Sequence, residues 1–533
     1  MANDVQVDIG AMVDESVREA VGSIRETNRK TFGLKMIGSA PLGTRLYDAS
    51  GLTFAAGVND GKAVSNGFDL MPIYAGMDKV KFPARDSAGN ILYDADGVEI
   101  DNVFVFVPQF YKRHLDYVDG TNDCSEFDIT TSPADGYSPA FVNIDGSIPN
   151  GKLIPAYNLN ELGSGHTYTK DSNGNLTATS IVYLGCQKGM APIMNYNMQS
   201  LGGRMSYIEL DTVEPHLLKA IPLTRLFSAE GYEDYTALAY LIAIEFGTIH
   251  VQSKVVGLAN DGLVNLIGDQ SAHNVTTATN KIALPTTNYI VTALNAGRTT
   301  LCFYTNDDAH HWVQRTVTSK TADMDLNGSA SGYTLIEFSG TALTFASGNQ
   351  VSIGWGAPQG FSEDATMVAK VGSTVSNTDG LSHFSYRGIE DIWGNLWQAL
   401  SDLAIANTYA DADGVAKQYP LFRHSGDSET TPAAWTQEDG TDITFSNANG
   451  YVKKMAFDSK GRFFPHETGA SSDTYYSDYY WQEARTTAGT SYMQVLVGGD
   501  GSGHSFAGLF CWTCLAGFGS GSWHFGSRPL LSL

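Results

Sequence analysis

Positive charge is what this sequence of 533 residues has least of. Its 33 Lys and Arg stand against 57 Asp and Glu, a formal net charge of −24. That balance repels a phosphate backbone, and with no basic run to offset it, nucleic acid is not an expected partner. Cysteine is also sparse: Cys124, Cys186, Cys302, Cys511 and Cys514 form an odd, scattered set that supports no disulfide framework. Only Cys511 and Cys514 lie close together, as one CxxC with no second pair and no histidine at ligand spacing. Neither a metal nor another cofactor is expected from it. The apolar runs fall far short of a membrane span, so no membrane insertion is expected. Residues 1–10 are polar and acidic, without the apolar core of a secretory signal. The expectation is a soluble product of the cytoplasm that leaves a cell by another route, such as lysis.

Helix formers are scarce as well, whereas 56 Gly, 26 Tyr and 25 Phe are present beside abundant Thr and Ser. This composition predicts a β-rich or loop-rich protein, and the length suits two to four domains. Val5 to Asn28 is an exception: Ile9, Val13, Val17, Val21 and Ile24 fall on one helical face. This short N-terminal helix, within a segment 1–34, suits self-assembly or attachment, or docking on its own domain. Residues 35–82 read as a small β collar. Phe104 to Asp116 reads as one apolar strand, and Asp171 to Asn175 (DSNGN) as a hairpin turn before a strand at Ile181 to Gly185. The clusters Asp94, Asp96, Glu99, Asp101 and Asp411, Asp413 have the look of calcium loops. They lack the EF-hand spacing and read better as Asp-Gly turns.

Thr224 to Thr248 is the clearest helix, with Tyr235, Leu238, Ile242 and Phe246 on a face and Gly247 as its stop. Composition then shifts. Residues 255–380, rich in Thr, Ser, Asn and Gly, read as an inserted β-barrel or sandwich with strands at Asn288 to Leu294, Thr299 to Tyr304, Tyr333 to Phe338 and Gln350 to Trp355. Arg387 to Gln398, RGIEDIWGNLWQ, returns to large apolar residues between glycines, and by periodicity alone is a helix-turn core segment.

The tail from Gly498 to Leu533 sets Phe506, Phe510, Trp512, Phe518, Trp523, His524 and Phe525 among Gly and Ser, with Arg528 as the one charge after Asp500. Disordered tails are poor in aromatics, and buried strands are rich in Val and Ile. Rings among small adaptable residues are the composition of a binding surface. A set of short strands closing the core with glycine turns fits the same composition.

In context, these segments resemble the C-type-lectin-like fold of the formylglycine-generating-enzyme type, as found in phage receptor-binding proteins diversified by retroelements. FVPQFYK (Phe106 to Lys112), the Thr224 to Thr248 helix, RGIEDIWGNLWQ, YYSDYYWQ (Tyr475 to Gln482), VLVGGDGSGHSFAGLF and SWHFGSRPLLSL follow in the expected order. The resemblance implies an α+β, β-rich chain: a C-type-lectin-like domain in two parts, 83–254 and 381–533, divided by the insertion. It further implies a variable region whose solvent-facing set is Phe510, Cys511, Thr513, Cys514, Leu515, Gly517, Phe518, Gly519, His524 and Phe525. Trp393, Trp397, Trp523 and Arg528 would be its scaffold. The implied function is a tail-fibre adhesin of a phage virion, made in the host cytoplasm and acting at the host surface. Its partners would be a bacterial surface receptor, protein or glycan, and other virion tail proteins, and its assembly a homotrimer.

The Glu-Pro-Asn and Trp-Asn-Asp tripeptides of calcium-dependent lectins are absent, and the spacing of Cys511 and Cys514 does not match the redox pair of the enzyme branch. A virion depolymerase would need two carboxylates facing a cleft, for which Glu390 with Asp391, or Asp478 with Glu483, are the candidates. A structural decoration protein is the third reading. Of the three, a binding protein without enzymatic activity is the expectation.

Overall fold

The computed structural model describes residues 29–531 except 56–65, 87, 144–145, 163–166, 181–182, 191, 194–206, 211–220, 230, 269, 271, 305–311, 329–331, 358, 361–373, 376–379, 411–414, 425–430, 439–442, 484, 519, 521 and 523. The expected N-terminal helix, and Asp411 and Asp413, lie outside the described residues. Strands dominate the rest, with two α-helices among the described residues, neither long and apolar enough to cross a membrane.

The organising element is helix α1, Tyr232–Phe246. All of its residues but Glu233 are buried, so it is wrapped on every side, in contrast to a one-faced surface helix. Gly247 ends it in the left-handed conformation (φ 70°), returning its N–H to the Ala243 carbonyl. The expected helix over Thr224 to Thr248 is thus too long. Ile221–Ala229 is a strand, and the chain enters the helix at Gly231. The tyrosines of α1 tie it to distant segments: Tyr235 Oη donates to the Leu509 carbonyl (2.7 Å), Tyr240 Oη to Gly461 (3.0 Å), and Tyr232 Oη to Phe463.

Two sheets pack on this helix within one hydrophobic core. The first runs Thr44–Tyr47, Thr31–Ile37, Asn122–Thr130, Tyr111–Asp119, Ser138–Pro139 in spatial order. Thr31–Ile37 pairs with Asn122–Thr130 and with Thr44–Tyr47, so the start of the segment expected as a collar, 35–82, completes a sheet of the main body. The expected single strand Phe104 to Asp116 is two strands, Asp101–Pro108 and Tyr111–Asp119, separated where Pro108 removes a backbone donor. The second sheet has eight strands and runs Val415–Phe422, Trp397–Ala410, Gly489–Val497, Trp512–Cys514, Tyr479–Gln482, Gly450–Phe457, Phe463–Thr468. Phe525–Gly526 lies parallel to the start of Trp397–Ala410.

The insertion carries its own sheet and core. Val264–Asn265, Gln350–Ser352, Thr300–Tyr304, Trp312–Ala322, Tyr333–Phe338 and Lys281–Pro285 form one six-stranded sheet, with helix α2 (Tyr289–Asn295) packed on it. Among the described residues the insertion expected as a barrel or sandwich is thus one six-stranded sheet with a helix on it. The strand expected over Asn288 to Leu294 is that helix: Asn288 Oδ1 accepts from the Ile290 N–H at 2.9 Å, an N-cap that outweighs the β propensity of Ile290 and Val291. Asp261 anchors the insertion, accepting from Gly354 N (2.6 Å), Trp355 N (2.8 Å) and Tyr289 Oη (2.7 Å).

The turn signals behave as their chemistry dictates. Asp171 Oδ1 accepts from Asn173 and Asn175 N–H groups, closing a hairpin of Tyr168–Lys170 with the nearer strand Leu176–Ala178. Asp94 Oδ1 accepts from the N–H groups of Asp96 and Val98, a tight turn closed by its own side chain.

Candidate ligand-binding surface

Residues 384–400, which include RGIEDIWGNLWQ, are buried throughout and hold no helix. Instead Arg387, Gly388, Asp391, Gly394 and Asn395 all take positive φ (47°, 92°, 50°, 74° and 57°), folding the segment into consecutive tight turns. Gly394 has no alternative, since a Cβ there would sit 2.6 Å from the Leu258 carbonyl oxygen. The turns bring polar groups inside and satisfy them. Arg387 meets Glu245 of α1 through Nε (2.7 Å) and Nη2 (2.6 Å), and Nη2 reaches Asp69 at 3.2 Å. Asp391 accepts from Gln359 Nε2 (2.8 Å), Asn395 Nδ2 (3.1 Å) and His383 Nδ1, while Glu390 accepts from Gly360 N at 2.9 Å. Both carboxylates are fully buried, so this pair faces no cleft and does not have the arrangement glycoside hydrolysis requires.

The second candidate pair is split: Glu483 is exposed, whereas Asp478 lies in the interior. Asp478 is buried, accepts from the Phe510 N–H at 2.7 Å, and has no partner for Oδ1 among the described residues. Burial pushes its carboxyl well above the usual range, against the effect of the Phe510 hydrogen bond. A folded-state value raised above the unfolded one makes stability fall as pH climbs from the unfolded value towards the folded one. Asp478→Asn, which cannot ionise, is therefore expected to gain on the native chain by about 1.4 kcal/mol per pH unit within that window. Thermal midpoints of both proteins, measured across mildly acidic to neutral pH, check this. A difference that stays constant with pH contradicts it.

The tail is threaded into the second sheet. Trp512–Cys514 is an inner strand, parallel to Tyr479–Gln482 on one side and antiparallel to Gly489–Val497 on the other. Trp512 and Cys514 point into the α1 core, Phe510 packs on Tyr476 and Phe463 (5.0 and 5.1 Å between centroids), and Cys511 and Phe525 enter a second core on the opposite face. Phe510, Cys511, Thr513, Cys514 and Phe525 are consequently buried, which corrects their expected place on a solvent-facing surface: a core packs against each face of the sheet at this point. Burial also pushes the Cys511 and Cys514 thiols up, the reverse of a reactive pair.

Leu515, at 45% exposure, and the partly exposed Gly517, Phe518 and His524 do reach the surface. Gly519 and Trp523 lie outside the described residues. Trp393, Trp397 and Arg528 are buried. The Trp397 indole donates to Asp500 (3.1 Å) and Arg528 donates to the carbonyls of Pro155 (3.1 Å) and Glu390.

Phe506 of the tail joins three rings from outside it in a partly exposed patch absent from the expected set. Strand alternation turns Tyr480 inward, where its hydroxyl donates to Gln418 (2.9 Å), and leaves Tyr479 and Trp481 on the outer face. Phe506, 37% exposed, leans over both, with centroids 4.8 Å from Tyr479 and 5.6 Å from Trp481. Tyr451 closes the group at 5.2 Å from Tyr479 and 5.6 Å from Phe506. Trp397 supports it from beneath at 5.5 Å from Trp481.

The turn carrying Phe506 is fixed at several points. His504 N donates to the Ala259 carbonyl (2.7 Å), Gln252 Nε2 to the His504 carbonyl (2.8 Å), and Tyr451 Oη meets Ser505 Oγ at 2.8 Å. Asp500, already holding Trp397, accepts from Ser502 N at 2.9 Å. The outcome is a rigid aromatic platform of mixed edge and tilted rings, rimmed by the exposed Ser502, His504 and Ser505. The YYSDYYWQ run carried the signal for it, since a period of two assigns Tyr479 and Trp481 to one face. Tyr451 and Phe506 join them only through tertiary contact. No family model matches this chain, and no curated protein sequence does.

Proposed function

We propose that this chain is a receptor-binding protein of a phage virion, a tail-fibre adhesin of C-type-lectin-like fold that holds a bacterial surface molecule on its C-terminal face. The observation that carries the reading is the connected platform of Tyr451, Tyr479, Trp481 and Phe506, partly exposed and mounted on a sheet whose other face is core. Rigid rings beside adaptable Ser and Gly give large contact area at low entropic cost. Clustered exposed rings rimmed by polar residues are a mark of interaction surfaces. The β-rich main body, the buried RGIEDIWGNLWQ turns and the inserted sheet accord with the sequence resemblance. The candidate carboxylates Glu390, Asp391 and Asp478 are committed to internal hydrogen bonds, which favours binding over glycan cleavage. Assembly as a homotrimer with other virion tail proteins would multiply weak sites into avidity.

Sibling copies of the gene test the reading, because a diversified adhesin changes where it meets its target. Substitutions are expected at Phe506, Leu515, Phe518, His524 and the platform rings, and not at Phe510, Trp512, Cys514 or Phe525. Substitutions spread evenly over buried and exposed positions of the tail would count against it.

A further inference from the structure

Next to the platform lies a cavity of about 340 Å³, at the lower end of small-molecule sites. It is bounded by the hairpin Tyr111–Asp119/Asn122–Thr130, the strand Gly450–Phe457 and the turns at 38–40 and 475–476. Tyr451 of the platform and Lys453 of the cavity sit two residues apart on that strand, with the buried Val452 between them pointing the other way. The cavity is preformed: Tyr475 and Ser477 hold left-handed backbone (φ 55° and 60°), and Tyr475 N donates to the Ser39 carbonyl at 2.9 Å, clamping two walls together.

We infer that this cavity is a second binding site, and that it takes an organic ammonium group. Tyr475 and Tyr476 supply aromatic walls, and Asp116 and Asp123, two strand positions that share a face with Ser125, supply carboxylates. Ring faces with nearby anions attract ammonium groups, quaternary ones above all.

Asp116 is held in place by His114 Nε2 at 3.1 Å, a nitrogen that also meets Ser125 Oγ at 3.2 Å. Burial pushes the Asp116 carboxyl up, but its hydrogen bonds with His114 and Ser125 outweigh that and keep it ionised. Burial keeps His114 itself below its ordinary value, so the imidazole brings no opposing charge at neutral pH. Of the cations in the lining, Lys453 pairs with Glu467 at 2.6 Å, and the exposed Lys454, whose charge also favours ionised Asp116, is the side chain that an ammonium ligand would displace. The chain's net charge of −24 adds a long-range attraction for cations.

The inference does not rest on the platform's role, and its test reads binding alone. Choline, cadaverine and dimethylbutanol, the uncharged isostere of choline, are titrated into the full chain by calorimetry. Saturable binding of choline points to a quaternary headgroup and of cadaverine to a primary amine such as a lysyl side chain. Either result supports the site. Asp116→Asn and Tyr475→Phe, with melting unchanged, should each be examined alongside Tyr475→Ala, and Asp116→Asn and Tyr475→Ala are expected to weaken the interaction about tenfold. Tyr475→Phe, which keeps the ring, is expected to retain it. The inference is overturned if neither amine binds, if dimethylbutanol binds as well as choline, or if Asp116→Asn binds like the native chain.

Discussion

Arg387→Met is expected to lower the stability of the main body by about 3–5 kcal/mol, the cost of stranding a buried charge. Arg387 and Glu245 are both fully buried, and the guanidinium spans Nε and Nη2 onto the two oxygens of one carboxylate. That fork joins the RGIEDIWGNLWQ turns to the end of α1, and Tyr386 Oη adds a further hydrogen bond to Glu245 at 2.9 Å. Among the described residues, removing the guanidinium leaves the Glu245 carboxylate with the neutral hydrogen-bond donors Tyr386 and Asn66. Met fills much of the same volume, so charge, not a cavity, dominates the loss. Arg387→Met combined with Glu245→Leu is expected to recover much of it, because a buried ion pair replaced whole by apolar groups is often near neutral. Denaturant unfolding followed by tryptophan fluorescence separates the cases. A double variant no more stable than the single one shows that packing, not charge, sets the effect.

Trp481→Ala with Phe506→Ala is expected to remove most of the affinity for the bacterial surface. Central aromatic anchors each contribute about 2 kcal/mol or more, roughly thirtyfold in affinity per ring. The two rings touch, so the joint effect is not a simple product. Linked copies amplify it, since avidity falls with a power of the single-site affinity. The fold should tolerate both changes. Phe506 is exposed and Trp481 packs at the edge of a core whose buried members, Trp397, Cys511 and Phe525, remain in place.

Much of the architecture was legible from residue chemistry. Gly247 marked the end of α1, DSNGN marked a hairpin, and strands at Thr300–Tyr304 and Tyr333–Phe338 were visible from β-branched and aromatic runs. RGIEDIWGNLWQ was recognisable as core, but its form was not. Ile389, Ile392, Leu396 and neighbouring tryptophans fall at helical spacing, whereas Gly, Asp and Asn at the intervening positions accept left-handed backbone and turn the chain instead. The helix at Tyr289–Asn295 was hidden by β-branched residues and disclosed by its Asn cap.

The site was half legible. Rings in the tail signalled a surface, yet which rings face solvent depends on where the tail strand sits in the sheet. Trp512–Cys514 occupies an inner position, which no local pattern reveals, and so Phe510 and the cysteines went inside. Tyr451 lies more than fifty residues before Phe506, and only the folded sheet joins them.

The central claim, that the exposed rings of the C-terminal sheet hold a bacterial surface receptor, is tested most directly by retention of the labelled full chain on cells. The native chain is first screened over a panel of bacteria, and Trp481→Ala/Phe506→Ala is then compared on the strains that retain it, with matched thermal midpoints as the control for folding. The account predicts saturable retention of the native chain on some strains and its loss in the double variant. Equal retention of both proteins on every strain, at equal melting, would contradict it.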